Sequence, residues 1–131
     1  MSRVLHLAEQ PAWSAAKSAG AYERSTRGLS LGEVGFVHTS TAAQLPGVAE
    51  RFYADAGPLV VLVVDVPACE AAGSPLRWDD VDGDLYPHVY GPIPVAAVVA
   101  ELPASFGPDG NFVLPDLTGL DVATGPARRE G

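Results

Sequence analysis

Apolar residues run through this chain in short blocks separated by glycine and proline, and the period inside each block predicts its element. Arg3 to Ala8 reads as a strand. Gln10-Pro11 then opens a short helix that Gly20 closes, because proline fits the first helical turn and glycine the position past the last. Trp13 and Ala16 share a face of that helix. The stretch AYERSTRGLSLGEV has no clear period and reads as a loop with room for one helical turn. From Gly35 to Ser40 the alternation puts Phe36, His38 and Ser40 on one side and Val37 and Thr39 on the other. Thr41 and Gln44 fit a capping box at the start of a helix that Pro46 is expected to interrupt almost at once. A second helical piece from Pro46 to about Tyr53 is expected to bury Val48, Ala49 and Phe52.

The run LVVLVVDV is the strongest strand signal, and its unbroken apolar composition suits a central strand covered on both faces. Pro67 and ACEAAG read as a connection, LRW as a short strand, and DDVDGD as an acidic turn. The prolines and glycine of LYPHVYGPIP predict a fixed, irregular segment. VAAVVAEL reads as a helical turn running into a strand, and FGPDGNFVLP as a hairpin around Asp109-Gly110. No repeat or linker divides the chain. The expectation is one α+β (mixed α/β) domain over residues 1–123, with a frayed tail over 124–131.

Composition narrows the function. The 131 residues suffice for one core without disulfides. No apolar run spans a bilayer, and MSRVLHLAEQ lacks the features of a secretory signal, so no membrane association and a cytoplasmic location are expected. Cys69 is the single cysteine, which excludes an intrachain disulfide and a thiolate zinc cage and reads as a plain buried thiol. A formal net charge of −8 argues against nucleic acid as a ligand. The scattered Arg3, Lys17, Arg24, Arg27 and Arg51 still permit a local pocket for one anion. Oligomeric state is not legible.

Candidate chemistry concentrates in GFVHTST and LYPHVYGP. All three histidines, His6, His38 and His88, lie in strand-like segments, where an imidazole needs hydrogen-bond partners or belongs to a ligand pocket. No two have zinc-motif spacing, so no metal is expected. Ser40 lacks a nucleophile elbow and suits a cap or turn. Asp65, ending the apolar strand, can orient a histidine or cap the next turn, the commoner role. Trp78 offers an aromatic wall beside Asp79 and Asp80, and Tyr86 and Tyr90 flank His88 on one side if the segment is extended. No phosphate-cradling glycine loop is present.

The ordered set VLHLA, Trp13, Tyr22, GFVHTSTAAQ, the strand ending at Asp65, LRWD and LYPHVYGPIP resembles the bacterial domain-of-unknown-function family 952, over roughly residues 3–101. That family's fold looks like a compact relative of the ADP-ribosyltransferase group, which includes the tRNA 2′-phosphotransferases. The resemblance implies an ADP-ribosyltransferase-like sheet core with short helices and NAD as a cofactor. It implies that His6 holds the nicotinamide-side ribose and that His38 lies near the nicotinamide. The late glutamate of that group has its nearest counterpart in Glu101, in a poorly matching context, and Asp79 stands where the family usually shows Glu after Trp.

Together these readings predict a small-molecule cleft lined by His6, Tyr22, His38, Ser40, Trp78, His88 and Tyr90, with His38 and His88 as acid–base groups and Asp65 and Asp79 in support. Three functions fit it: transfer or cleavage at the nicotinamide glycosidic bond, a cofactor-independent lyase, cyclase or hydrolase, and a non-catalytic metabolite- or protein-binding module.

Overall fold

The computed structural model describes residues 3–26 and 29–124. Strand β1 (Arg3–Glu9) leads into helix α1 (Gln10–Ala19), which has Pro11 in its first turn and ends at Gly20 in the left-handed region, φ 95°. The stretch expected as a loop is instead built from short strands β2 (Ala21–Tyr22), β3 (Arg24–Thr26) and β4 (Leu29–Ser30) and helix α2 (Leu31–Val34). A capping box the pattern did not flag starts α2: Ser30 Oγ accepts from Glu33 N–H at 3.3 Å, and the Glu33 carboxylate accepts from Ser30 N–H at 2.9 Å.

Strand β5 (Val37–His38) is followed by the Thr41–Gln44 box, whose reciprocal bonds are 3.3 and 3.1 Å long. Pro46 does not interrupt the helix there. It sits in the first turn of α3 (Leu45–Phe52), where no backbone N–H is needed. Leu45, Val48 and Ala49 are buried, but Phe52, expected in the core, occupies the last helical position and is 51% exposed.

Strand β6 (Leu59–Asp65) runs into helix α4 (Val66–Ala71), in place of the expected plain connection. Asp65 accepts from Ala68 N–H at 3.1 Å and pairs with Arg3 at 3.1 Å, so it caps a helix and orients no histidine. Strands β7 (Leu76–Val81) and β8 (Asp84–Val89) form a hairpin whose two turn residues, Asp82 and Gly83, both have positive φ, 53° and 87°. Such a two-residue turn matches the natural twist of its strands.

Tyr86-Pro87-His88 therefore lies in a regular strand, contrary to the irregular segment expected. The Pro87 carbonyl accepts from Thr39 N–H at 3.2 Å and Thr39 Oγ1 at 2.6 Å. Its nitrogen faces the same way, so the ladder to β7 loses nothing. Pro87 cannot return a bond to Thr39, and β5 stops at His38. The chain continues through β9 (Ile93–Pro94), a 3₁₀ turn (Val95–Ala97) and β10 (Val98–Pro103), then the expected hairpin of β11 (Ser105–Phe106) and β12 (Phe112–Val113).

Strand β6 lies between β1 and β10, antiparallel to both. One of its faces buries Val60, Leu62 and Val64 with Trp13, Ala16 and Tyr22. The other buries Leu59, Val61 and Val63 with Leu45, Val48 and Ala49 of α3. Each of these buried valines and leucines contributes roughly 1.5–3 kcal/mol by leaving water. A second sheet has the order β5-β8-β7. Reciprocal bonds of 2.8 and 2.7 Å between Leu5 and Ser40 join the two sheets. That bridge carries His38 to the side of His6.

Candidate functional site

Alternation along β1 turns His6 toward the α1 side, with Val4 and Ala8. Its Nδ1 lies 2.6 Å from the His38 carbonyl, which can only accept, so Nδ1 carries the proton and Nε2 accepts from the Tyr22 hydroxyl at 2.9 Å. Burial pushes the His6 pKa down to about 4 and the Tyr22 phenol up. Both nitrogens of a buried, neutral ring are thus used.

His88 is also buried, at 2% exposure. Its Nδ1 donates to Asp79 Oδ2 at 2.8 Å, the same oxygen accepts from the Tyr90 hydroxyl, and Phe36 stacks on the ring with centroids 4.0 Å apart. His88 Nε2 is buried and has no hydrogen-bond partner among the described residues. Burial lowers the His88 pKa while Asp79 partly restores it; the Tyr90 hydroxyl and then His88 hold Asp79 below the usual carboxylate range. The carboxylate fixes which ring nitrogen of His88 bears the proton.

His38 differs from both. It stands opposite His88 across the β5–β8 pair, with ring centroids 5.0 Å apart, and lies 5.3 Å from the Tyr86 ring. Its ring is half-buried and makes no hydrogen bond among the described residues. It lines a cavity of about 420 Å³, shared with Thr26, Arg51, Phe52, Val81 and Tyr86. Burial, then the charges of His88 and His6, push its pKa down to about 4, so at neutral pH it is a free imidazole.

Of the residues expected to line one cleft, His38 alone lines this cavity. Tyr22 borders a separate groove of about 920 Å³ beside α1. Ser40 is buried and serves through its backbone bridge to Leu5. Trp78 pairs with Pro87, one residue out of phase with His88, and so points to the opposite face of the sheet. Asp79, one position later, reaches His88 and Tyr90 instead. Glu101 lies in the same row as His6, both opposite Leu62, and pairs with Lys17 at 3.6 Å. Tyr86 and Arg51 line the cavity without having been placed in the expected cleft: alternation set Tyr86 on the side of His88 and Arg51 was one of several scattered cations, whereas nothing in the sequence brings the end of α3 to His38.

Among the described residues no three His, Cys, Asp or Glu side chains converge to hold a metal, and no helix is long and apolar enough to cross a membrane.

Fold and site define a small α+β domain with one histidine open to a cavity and two committed behind it. The family model described as protein of unknown function (DUF952) matches residues 7–101, and the chain belongs to that family. The crystal structure of protein CC0527 from Caulobacter crescentus is 27% identical, covering 88% of this chain and 95% of that one with a TM-score of 0.71. The solution structure of the same protein is 29% identical, covering 89% and 94% with a TM-score of 0.66. No curated protein matches the chain.

Proposed function

We propose that the protein is a small-molecule enzyme in which His38 performs acid–base catalysis, without a cofactor, on a ligand held in the 420 Å³ cavity. One contrast carries this reading. His6 spends both ring nitrogens on protein groups and His88 is sealed behind Phe36, while His38 presents an uncommitted, neutral imidazole to a cavity. In an elimination, cyclisation or hydrolysis, the His38 ring takes a proton from a substrate O–H or C–H, or from the attacking water, and returns it to the leaving or newly formed group. Its low pKa makes it a mild base and a ready acid. A negative charge on the ligand favours the imidazolium and brings the pKa back toward neutrality. His88, oriented by Asp79, acts as a positioning residue through its ring contact with His38.

ADP-ribosyl or glycosidic transfer on NAD, as in the ADP-ribosyltransferase group, draws on the row that places His6 and Glu101 opposite Leu62. It has less support, because His6 has no free nitrogen and Lys17 engages Glu101. Calorimetry with NAD and ADP-ribose separates the readings: saturable heat favours NAD, and silence at millimolar ligand removes it.

The test of the main reading is conversion. Wild-type protein incubated with an aqueous bacterial metabolite extract is expected to consume at least one small anionic component, followed by mass spectrometry, and His38→Gln to do so at least 100-fold more slowly. Equal consumption by His38→Gln overturns the role of His38. Binding without any conversion overturns the enzyme in favour of a binding module.

A further inference from the structure

The same cavity also carries information about its ligand. Seven large hydrophobic side chains are substantially exposed among the described residues, and three of them, Leu29 (42%), Phe52 (51%) and Val81 (39%), border this one cavity. Clustered exposed apolar groups around a concavity mark a binding site more than a solvated surface does. They come from three separate elements, β4, α3 and β7, so no local sequence bias gathers them.

Arg51 lines the same cavity from the last turn of α3. No carboxylate of the described residues pairs with it, although the chain holds 16 Asp and Glu against 8 Lys and Arg. Its guanidinium lies 5.8 Å from the centroid of the Phe52 ring, which keeps it at the apolar border. Asp82 borders the cavity too, beyond ion-pair distance of Arg51, and among the described lining residues no Lys or Arg besides Arg51 is there to meet a second negative charge against that carboxylate. A cavity of about 420 Å³ falls within the ~300–1,000 Å³ typical of small-molecule sites.

From the unpaired Arg51, the apolar border and the opposing Asp82, we infer that the ligand is a singly charged anion with an apolar, ring-sized body. Its carboxylate is held by Arg51, and its body lies on Phe52, Val81 and Leu29 beside the His38 and Tyr86 rings. A planar guanidinium takes a carboxylate through two parallel bonds, which aims the body inward. This deepens the proposal for His38, because it rests on the same cavity and supplies the negative charge that activates the imidazole.

The test uses the full chain and three probes of one shape: 1-naphthoate, 1-naphthalenemethanol and 1-naphthylmethylamine. Naphthoate is expected to bind about ten-fold or more tightly than the alcohol, and the amine weakest. Arg51→Gln, at an exposed position, is expected to lower naphthoate affinity about ten-fold and leave the alcohol unchanged. 1-Naphthyl phosphate is expected to bind more weakly than naphthoate, with Asp82→Asn narrowing the gap. Amide chemical-shift changes locate the probe: shifts at Thr26, Phe52 and Tyr86 support the assignment, and shifts confined elsewhere overturn it. Equal affinity for the three probes, or naphthoate binding indifferent to Arg51→Gln, also overturns it. His38→Gln is expected to keep naphthoate binding within a few-fold. If that variant binds normally and also turns over normally, the catalytic reading fails while the ligand class stands.

Discussion

His38 and His88 face each other from adjacent antiparallel strands with ring centroids 5.0 Å apart, and only His88 has a carboxylate to hold it. Two imidazoles so close do not both carry charge at low cost. Asp79 fixes the His88 ring and leaves His38 as the neutral partner that meets the cavity. The arrangement divides one pair into an oriented ring and a working ring.

Removing the carboxylate tests that division. Asp79→Asn keeps the shape but removes the charge that receives His88 Nδ1–H and the Tyr90 hydroxyl. Charge-assisted bonds are worth roughly 1.5–3 kcal/mol, and a third of the Asp79 side chain is exposed, so a loss of about 1–2 kcal/mol is expected in urea unfolding. The His88 pKa should fall further, because Asp79 is what raises it. A variant with unchanged stability and unchanged His88 titration contradicts the orienting role.

The pH dependence of stability follows from the buried rings. His6 and His38 are held at about 4 in the folded protein against 6.5 in an unfolded chain. Between these values the unfolded state binds more protons, so stability is fully present above about pH 6.5 and falls as pH drops toward 4. Each ring is worth roughly 3 kcal/mol across the whole window. Between pH 6.5 and about 5, above the carboxylate range, these two rings should give urea unfolding a slope that rises from about one proton to a little under two as the unfolded histidines become charged. His38→Gln should remove about one. A flat profile contradicts the burial of these rings.

How much of this was legible depends on whether the signal was local. LVVLVVDV announced the central strand, Gly20 the end of α1, and Asp109-Gly110 the last hairpin, because each is decided by neighbouring residues. Pro46 and Pro87 were misread because the same residue can break an element or begin one. The outcome turns on whether its missing N–H was needed, and for Pro87 that depends on Thr39, 48 positions away. The convergence of His6 with His38 rests on the Leu5–Ser40 bridge, a pairing between distant segments. Trp78 and Asp79 exchanged importance through strand register alone: a shift of one residue moves a side chain to the other face. Arg51 carried no mark in the sequence beyond being one cation among several.

Cys69 offers an independent check on the core. It is fully buried, with its thiol pushed up to about 11 by burial and then by the nearby Asp65 and Glu70 charges. A thiol reagent at about pH 8 should therefore leave the folded protein unmodified for hours and label it within minutes in denaturant. Rapid labelling of the folded protein contradicts this packing of α4 against β6.

The most direct test of the central claim is to titrate the three imidazoles by long-range ¹⁵N–¹H NMR from about pH 3 to about pH 8, with and without 1-naphthoate. His38 is expected to titrate well below 6.5 in the free protein and to shift upward when the anion binds. His6 should keep its proton on Nδ1, hydrogen-bonded to the His38 carbonyl, in both states. A His38 ring with an ordinary pKa that ignores the ligand, or a ligand response centred on His6, contradicts it.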